Sequence, residues 1–278
     1  MPVTPPSADA GAPATTGYAP AFVADVLDDA LSSGARVYGI VGLQGTGKST
    51  LATQLAAAAR RRGRDAVVVS IDDVYLDQPA RLALARDVHP LLATRGPPGT
   101  HDVALACATV DALVAGRDTT LPRFDKIADR QLPRVDWPRV PGRAQGPALV
   151  ILEGWFLSTP AEAATALLDP VNALERDEDA GGIWRRFCND ALARDYPPLW
   201  QRIDRLLFLQ GPGFEVVPGW RWQQECTLQA ANPGRTAMSR VQVERFVQFF
   251  ERTSRQALRS LPAIAQRTIQ LDAARTPR

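Results

Sequence analysis

The sequence predicts a three-layer α/β/α sandwich built on a mainly parallel sheet, and three observations carry that expectation. A short apolar, β-branched run, Val37–Val41, enters a glycine-rich loop and leaves it into Ala- and Leu-rich sequence of helical character. A second buried strand, Ala66–Ile71, follows that helix, and strand–helix–strand units pack as parallel neighbours with right-handed crossovers. Further apolar strands, Ala148–Leu152, Arg205–Leu209 and Thr268–Leu271, recur between helical stretches, the alternation that marks an α/β domain. Ligands of such sheets gather beyond the C-terminal ends of the strands.

Composition sets the bounds. With 278 residues, 45% of them apolar and 22% charged, the chain has the make-up of a soluble globular protein with ample core. A net charge of +2 gives no reason to expect a nucleic-acid partner, and no apolar run reaches the length of a membrane span. Cys107, Cys188 and Cys226 are scattered, lack metal-ligand spacing and suit a reducing, cytoplasmic compartment. Residues 1–20, rich in Pro, Ala, Thr and Gly, are expected to be a disordered tail without the features of a signal peptide. Residues 21–278 are expected to form one domain, and nothing in the sequence specifies an oligomeric state. Of the 32 basic side chains only Lys48 and Lys126 are lysines. Each stands out, because a compact ammonium and a planar guanidinium are not interchangeable at a tight site.

In chain order, Phe22, Val23, Val26 and Leu27 fall at helical spacing, so a helix leads into the first strand. The helix after the glycine loop runs to about Arg62, where Arg60–Arg62 suits the negative end of the helix dipole. The second strand ends in Asp72-Asp73-Val74-Tyr75. Residues 77–93 read as helix, Arg95–Asp102 as a rigid turn-rich loop, and Val103–Ala115 as a helix that Asp102 is able to cap. A Pro/Arg-rich connection, 132–147, precedes the third strand, which ends in Glu153-Gly154-Trp155. Residues 183–203 read as helix, and Pro218–Ala231 as a mobile helical element within a lid of about 212–240. Ser239 and Gln242 form a capping box before the amphipathic run of Val243, Phe246, Val247 and Phe250.

The chemistry starts at Gly42, whose separation of four residues from Gly47-Lys48-Ser49 is that of a phosphate-binding loop. Glycines there let the backbone aim its N–H groups inward, and the following helix adds its positive end. Lys48 is placed to reach the β- and γ-phosphates, and the Ser49 hydroxyl to ligate Mg²⁺. Gly42, Gln44, Gly45, Thr46, Gly47, Lys48, Ser49 and Thr50 are therefore the expected ATP site, and the sandwich is expected to be of the P-loop NTPase type with a helical lid.

Asp72 and Asp73 offer a carboxylate that can accept a hydroxyl proton near the γ-phosphate, although strand-end turns also favour aspartate for local reasons. Glu153, at another strand end, suits a Mg²⁺-shell or water-positioning acid. Arg123 and Lys126 suit an anionic substrate, and Asp125 a polyol. Asp102 and His101 serve equally well as an N-cap and a loop hydrogen-bonder. Arg221, between Trp220 and Trp222, is placed to reach the transferring phosphoryl group from a closing lid. No Asn-Lys-x-Asp or Leu-Ser-Gly-Gly run is present, which weighs against a GTPase switch and a transporter ATPase.

With these residues in view, the chain resembles the P-loop kinases of the phosphoribulokinase, uridine kinase and pantothenate kinase group. Ser70–Tyr75 looks like that group's strand-end motif, which implies Asp72 as the base. The likeness is closer to the D-glycerate 3-kinase family, through Gly42–Thr50, Arg95-Gly96 with Gly99–Asp102, Leu121–Lys126, Leu152–Trp155, Trp220–Glu225 and Met238-Ser239 in order. That resemblance implies an ATP- and Mg²⁺-dependent kinase converting D-glycerate to 3-phosphoglycerate. It implies acceptor contacts from Asp73, Tyr75, Arg95, His101, Asp102, Arg123, Asp125 and Lys126, and catalytic roles for Lys48, Asp72 and Arg221. One departure is the short Ile127–Gln131 segment, where eukaryotic-type members carry a longer Gly/Arg/Asp-rich stretch. The same chemistry on a nucleoside, pantothenate-like or sugar-phosphate acceptor, or a nucleotide switch that phosphorylates no metabolite, are the competing expectations.

Overall fold

The computed structural model describes residues 17–231, 234 and 237–278. Most of the expected tail, residues 1–16, lies outside the described residues, as do 232, 233, 235 and 236 of the expected lid. Gly17 to Ala19 lead directly into the first helix.

The elements are α1 (Pro20–Ser32), β1 (Val37–Gly42), α2 (Lys48–Arg61), β2 (Ala66–Ser70), α3 (Gln78–Asp87) and α4 (Val103–Val114). Short strands follow, β3 (Thr119–Thr120), β4 (Phe124–Asp125), β5 (Arg130–Gln131) and β6 (Arg139–Val140), then β7 (Leu149–Gly154). The last third holds α5 (Ala173–Glu178), α6 (Ile183–Arg194), α7 (Pro197–Trp200), β8 (Arg205–Gln210), α8 (Val217–Ala231), α9 (Arg240–Ile264) and β9 (Arg267–Gln270).

The main sheet runs β2-β7-β1-β8-β9 and is parallel throughout. β1 lies at its centre, and every residue of it is buried, as an apolar run covered on both faces should be. Alternate residues feed opposite faces. Tyr38 and Ile40 pack with Val26, Leu27, Leu51 and Leu55 of α1 and α2. Val37 and Val41 pack in the cluster that includes Val110, Ala191, Phe249 and Phe250 from α4, α6 and α9. The sandwich expected from the sequence is the one observed.

Two expected helices are shorter than their pattern. Residues 77–93 divide into α3 and a 3-10 turn, Pro90–Ala93, because His89 precedes a proline and takes an extended conformation. Residues 183–203 divide at Tyr196, where Pro197 starts α7. Asp102 caps α4 by accepting from the Leu105 N–H at 2.8 Å, and the Ser239–Gln242 capping box opens α9. Neither feature needs tertiary context, which is why local sequence foretold both.

The Arg95–Asp102 loop is fastened to the helical layer by glycines. Gly96 has φ +111° and its α-carbon faces Phe250, so closely that an added Cβ would lie 2.5 Å from the ring. Gly63, at φ +68°, has nothing within 4 Å of the same position. Gly63→Ala is expected to cost only the left-handed strain of about 1–2 kcal/mol. Gly96→Ala adds overpacking of a further ~1–3 kcal/mol. Urea unfolding of both variants checks this, and equal midpoints would mean that Phe250 yields without cost.

Candidate active site

The glycine loop is built at the carboxyl end of the central strand. Gly45 and Gly47 take φ of +86° and +88°, values that L side chains avoid. A Cβ on Gly42 would lie 2.9 Å from both the Leu209 carbonyl and Thr46 Oγ1, so the chain can pass only as glycine. Two side chains from the ends of the chain hold the loop's carbonyls. The Tyr18 hydroxyl donates to the Thr46 carbonyl at 2.6 Å, and Arg275 Nε donates to the Gly45 carbonyl at 2.6 Å. Arg275 lies over the Trp220 ring, 5.1 Å from its centroid, and Trp220 packs against Gly45. Holding the carbonyls in this way is compatible with the inward N–H groups expected of a phosphate-binding loop. Lys48 is buried; Ser49 and Thr50 are exposed.

The sheet order brings β7 between β1 and β2, and so sets three strand ends side by side. Ser70 pairs in register with Glu153, and its hydroxyl donates to Glu153 Oε1 at 2.5 Å. Ser70 Oγ also accepts from the Asp72 N–H at 3.2 Å, capping the 3-10 turn Ile71–Asp73. Asp72 Oδ2 accepts from Lys126 Nζ at 2.9 Å. Asp73 accepts from Arg123 Nη1 at 3.1 Å and from the Phe124 N–H at 3.3 Å.

The neighbouring carboxyls titrate in opposite directions. Burial works against the charge on Asp72, yet the Lys126 and Lys48 ammoniums beside it prevail and hold its carboxyl well below the ordinary range. Burial dominates at Asp73 and pushes its carboxyl up, against the pull of Arg123. Glu153 is also raised by burial, against Lys48. Tyr75 is buried, and its hydroxyl faces the Asp72 carboxylate. His101 is neutral at physiological pH, pushed down to about 3 by burial although Asp72 pulls the other way. Its Nδ1 meets the Tyr196 hydroxyl at 2.7 Å, and that hydroxyl accepts from the Gly99 N–H at 3.0 Å.

Thus Lys48, Asp72, Asp73, Tyr75, Arg123, Lys126 and Glu153 form one electrostatic cluster at the loop. Other expected contact residues have different work. Arg95 is bonded to Asp129 and to the Lys126 carbonyl, at 2.5 and 2.9 Å. Asp125 accepts from the Ile127 and Ala128 N–H groups, closing a turn. Arg221 on α8 faces α9, 5.7 Å from the Phe246 ring centroid and 3.5 Å from Glu225. Tyr18 and Arg275 escaped sequence reasoning. Tyr18 is the only aromatic residue in the expected tail, a signal that was there to be used; Arg275 is one arginine among many.

The donor set suits a hard divalent cation. Asp72 Oδ1 and Glu153 Oε2 are buried with no hydrogen-bond partner among the described residues, and Ser49, an exposed residue, follows Lys48 in the first turn of α2. Among the described residues no three His, Cys, Asp or Glu side chains cluster closely enough to hold a metal.

No family model matches the chain. It is 32% identical over 204 residues to a Schizosaccharomyces pombe protein described as uncharacterized kinase mug58, covering 70% of this chain and 71% of that one. It is 29% identical over 226 residues to the chloroplastic D-glycerate 3-kinase of Arabidopsis thaliana, covering 76% of this chain and 45% of that protein. The chain belongs to the family of that fission-yeast kinase and is homologous to D-glycerate 3-kinase. A solved D-glycerate 3-kinase from Cryptococcus neoformans superposes with a TM-score of 0.71 at 24% identity, over 92% of this chain and 95% of that one. The kinase is a phosphotransferase that uses a nucleotide donor, and among its described residues no helix is long and apolar enough to cross a membrane.

The Lys126–Asp72 contact has a signature in stability. A carboxyl depressed in the folded state stabilises above its unfolded value of about 3.9 and loses that contribution as pH falls through the folded value. Lys126→Ala removes the depressing charge. The stability gap between this kinase and the variant should be widest above pH ~4 and narrow below it. Urea midpoints across that range test this; a gap independent of pH would remove the ion pair as its cause.

Proposed function

We propose that this kinase transfers the γ-phosphoryl group of ATP to a hydroxyl of a small hydroxy acid, D-glycerate to 3-phosphoglycerate. The observation that carries the reading is the Asp72 carboxylate, held ionised and tied at 2.9 Å to Lys126, at the end of a strand that only β7 separates from the strand of the phosphate loop. The acceptor hydroxyl attacks phosphorus, the bond from the γ-phosphorus to the bridging oxygen breaks, and the hydroxyl proton passes to Asp72. Lys48 stabilises charge on the transferring group. Ser49 and Glu153 are the residues that would hold Mg²⁺, which neutralises charge on the β- and γ-phosphates.

The acid specificity rests on cations beside Asp72. A lysine ammonium has three N–H donors. Lys126 gives one to Asp72, and its side chain is 52% exposed, which leaves donors for a substrate carboxylate. Arg123 lies beside it on Asp73. We assign both to the substrate carboxylate, with Tyr75 and the neutral His101 shaping the acceptor side. Asp102 and Asp125 act through the loops they cap. We assign Arg221 to closure of the lid, about 212–240, whose Trp220 already packs on Gly45.

ADP release is the direct assay. D-Glycerate should stimulate it and glycerol, which lacks the carboxylate, should not; equal use of both would end the acid reading. Lys48→Ala should lose several orders of magnitude in rate while remaining folded.

Asp72→Asn should lower kcat far more than it raises KM for ATP, and more than Asp73→Asn does. The reverse order would make Asp73 the base.

A further inference from the structure

The contact between Lys126 and Asp72 does not explain itself. Lys126 is a long side chain, 52% exposed, and an exposed ion pair is too weak to freeze such a chain in one geometry. Its position must come from the backbone that carries it.

That backbone is a hairpin. Phe124 pairs with Gln131 and Asp125 with Arg130, leaving residues 126–129 as the turn. Lys126 is the first residue of the turn and Asp129 the last, in a left-handed conformation of φ +54° that favours glycine or asparagine. Two arginines converge on the Asp129 carboxylate. Arg81 Nη2 meets Oδ2 at 2.7 Å, and Arg95 Nη1 meets Oδ1 at 2.5 Å.

Both arginines also hold main chain. Arg81, on α3 and 1% exposed, donates to the carbonyls of Leu76, Ala93 and Asp129 at 3.0, 2.5 and 3.2 Å. Arg95 donates to the Lys126 carbonyl at 2.9 Å and lies over the Phe124 ring. Gln131 Nε2 donates to the Tyr75 carbonyl at 3.0 Å, so the far side of the hairpin is fastened to the segment after Asp72. One carboxylate therefore locks the turn, the loop after α3 and the strand end of Asp72 into a single frame.

We propose that Asp129, bridged by Arg81 and Arg95, is the positioning residue that sets the Lys126 ammonium on Asp72, and that Arg95 serves the reaction through Lys126 without touching the acceptor. This rests on the reading of Asp72 and Lys126 as reacting-centre groups. Nothing in local sequence marks Asp129 for the task; its partners are 34 and 48 residues away.

The test is a pair of double-mutant cycles in steady-state ADP release with D-glycerate. Asp129→Asn, Arg95→Gln and Lys126→Ala should each lower kcat/KM for the acid by about tenfold to a hundredfold, the loss expected when a reacting group drifts by an ångström. KM for ATP should stay where it was. Adding Asp129→Asn or Arg95→Gln to Lys126→Ala should cost almost nothing more, because a positioning residue has no work once its client is gone. Multiplicative losses would make Arg95 a direct ligand and overturn the proposal. If Asp129→Asn proves unstable because it strands the buried Arg81, the Arg95→Gln cycle decides alone.

A second readout needs no acceptor, so it separates failure of the proposal from failure of the glycerate reading. The chain has two lysines, so ¹³Cε-lysine labelling gives two resonances, assigned with Lys126→Ala. Lys126 should titrate above the ordinary lysine value in the native enzyme, raised by Asp72. In Asp129→Asn and Arg95→Gln it should fall back toward that value. An unmoved titration in both variants would show that Lys126 finds Asp72 without the frame.

Discussion

Three carboxylates drawn to one end of a sheet must be neutralised, and most of this site is a solution to that requirement. The order β2-β7-β1 sets the ends of β2 and β7 beside the phosphate loop, and with them Asp72, Asp73 and Glu153. Left alone, buried carboxyls in such proximity would take up protons and lose their use. Lys48 supplies compensating charge from the start of α2, and Arg123 and Lys126 supply it from the β4–β5 hairpin. The hairpin of β4 and β5 is in this sense an electrostatic device. Phe124 anchors it against Tyr75, and it delivers one cation to each aspartate.

The phosphate loop shows a second level of the same constraint. Its backbone must point N–H groups inward, so its carbonyls need partners elsewhere. Tyr18 and Arg275 supply them from opposite ends of the described chain, and both are fixed in turn. The Tyr18 main chain exchanges hydrogen bonds with the Gln54 amide on α2. Arg275, with φ of +68°, stands at the tip of a return from β9 that closes with Arg278 N–H on the Gln270 carbonyl. Strain held at such a tip, against a ligand-binding loop, is placed where it fixes geometry.

What the sequence disclosed, and what it hid, follows from the range of each interaction. The strands, the turn into α2 and both helix caps depend on neighbours within a few residues, so the strand–loop–helix passage at Gly42–Ser49 and the Asp102 cap were legible. The strand expected over Ala66–Ile71 ends one residue earlier, at Ser70. The cluster of Arg123, Asp125 and Lys126 was visible as chemistry, but its division of labour was not. Arg123 and Lys126 reach back 50 and 54 residues to the two aspartates, while Asp125 only closes its own turn. Arginine abundance hid the rest. Arg81, Arg95 and Arg275 look alike in a chain of this composition, and only burial and partners tell them apart.

The adjacent aspartates show how little separates an ordinary carboxyl from a committed one. Asp72 and Asp73 share a turn, the Lys126 ammonium and a half-buried setting, yet one is depressed and the other raised. The difference is that Asp72 faces two ammoniums, Lys126 and Lys48, whereas Asp73 faces mainly one guanidinium. A carboxylate so strongly held ionised is a weak base in the ground state, which at first argues against it as proton acceptor. Phosphoryl transfer removes the objection. Its loose transition state puts little nucleophilic demand on the hydroxyl, and the proton becomes acidic only as the new P–O bond forms. In the proposed reaction the group needed at that moment is one that is unprotonated and aimed, and the proposed frame around Lys126 would give Asp72 both properties.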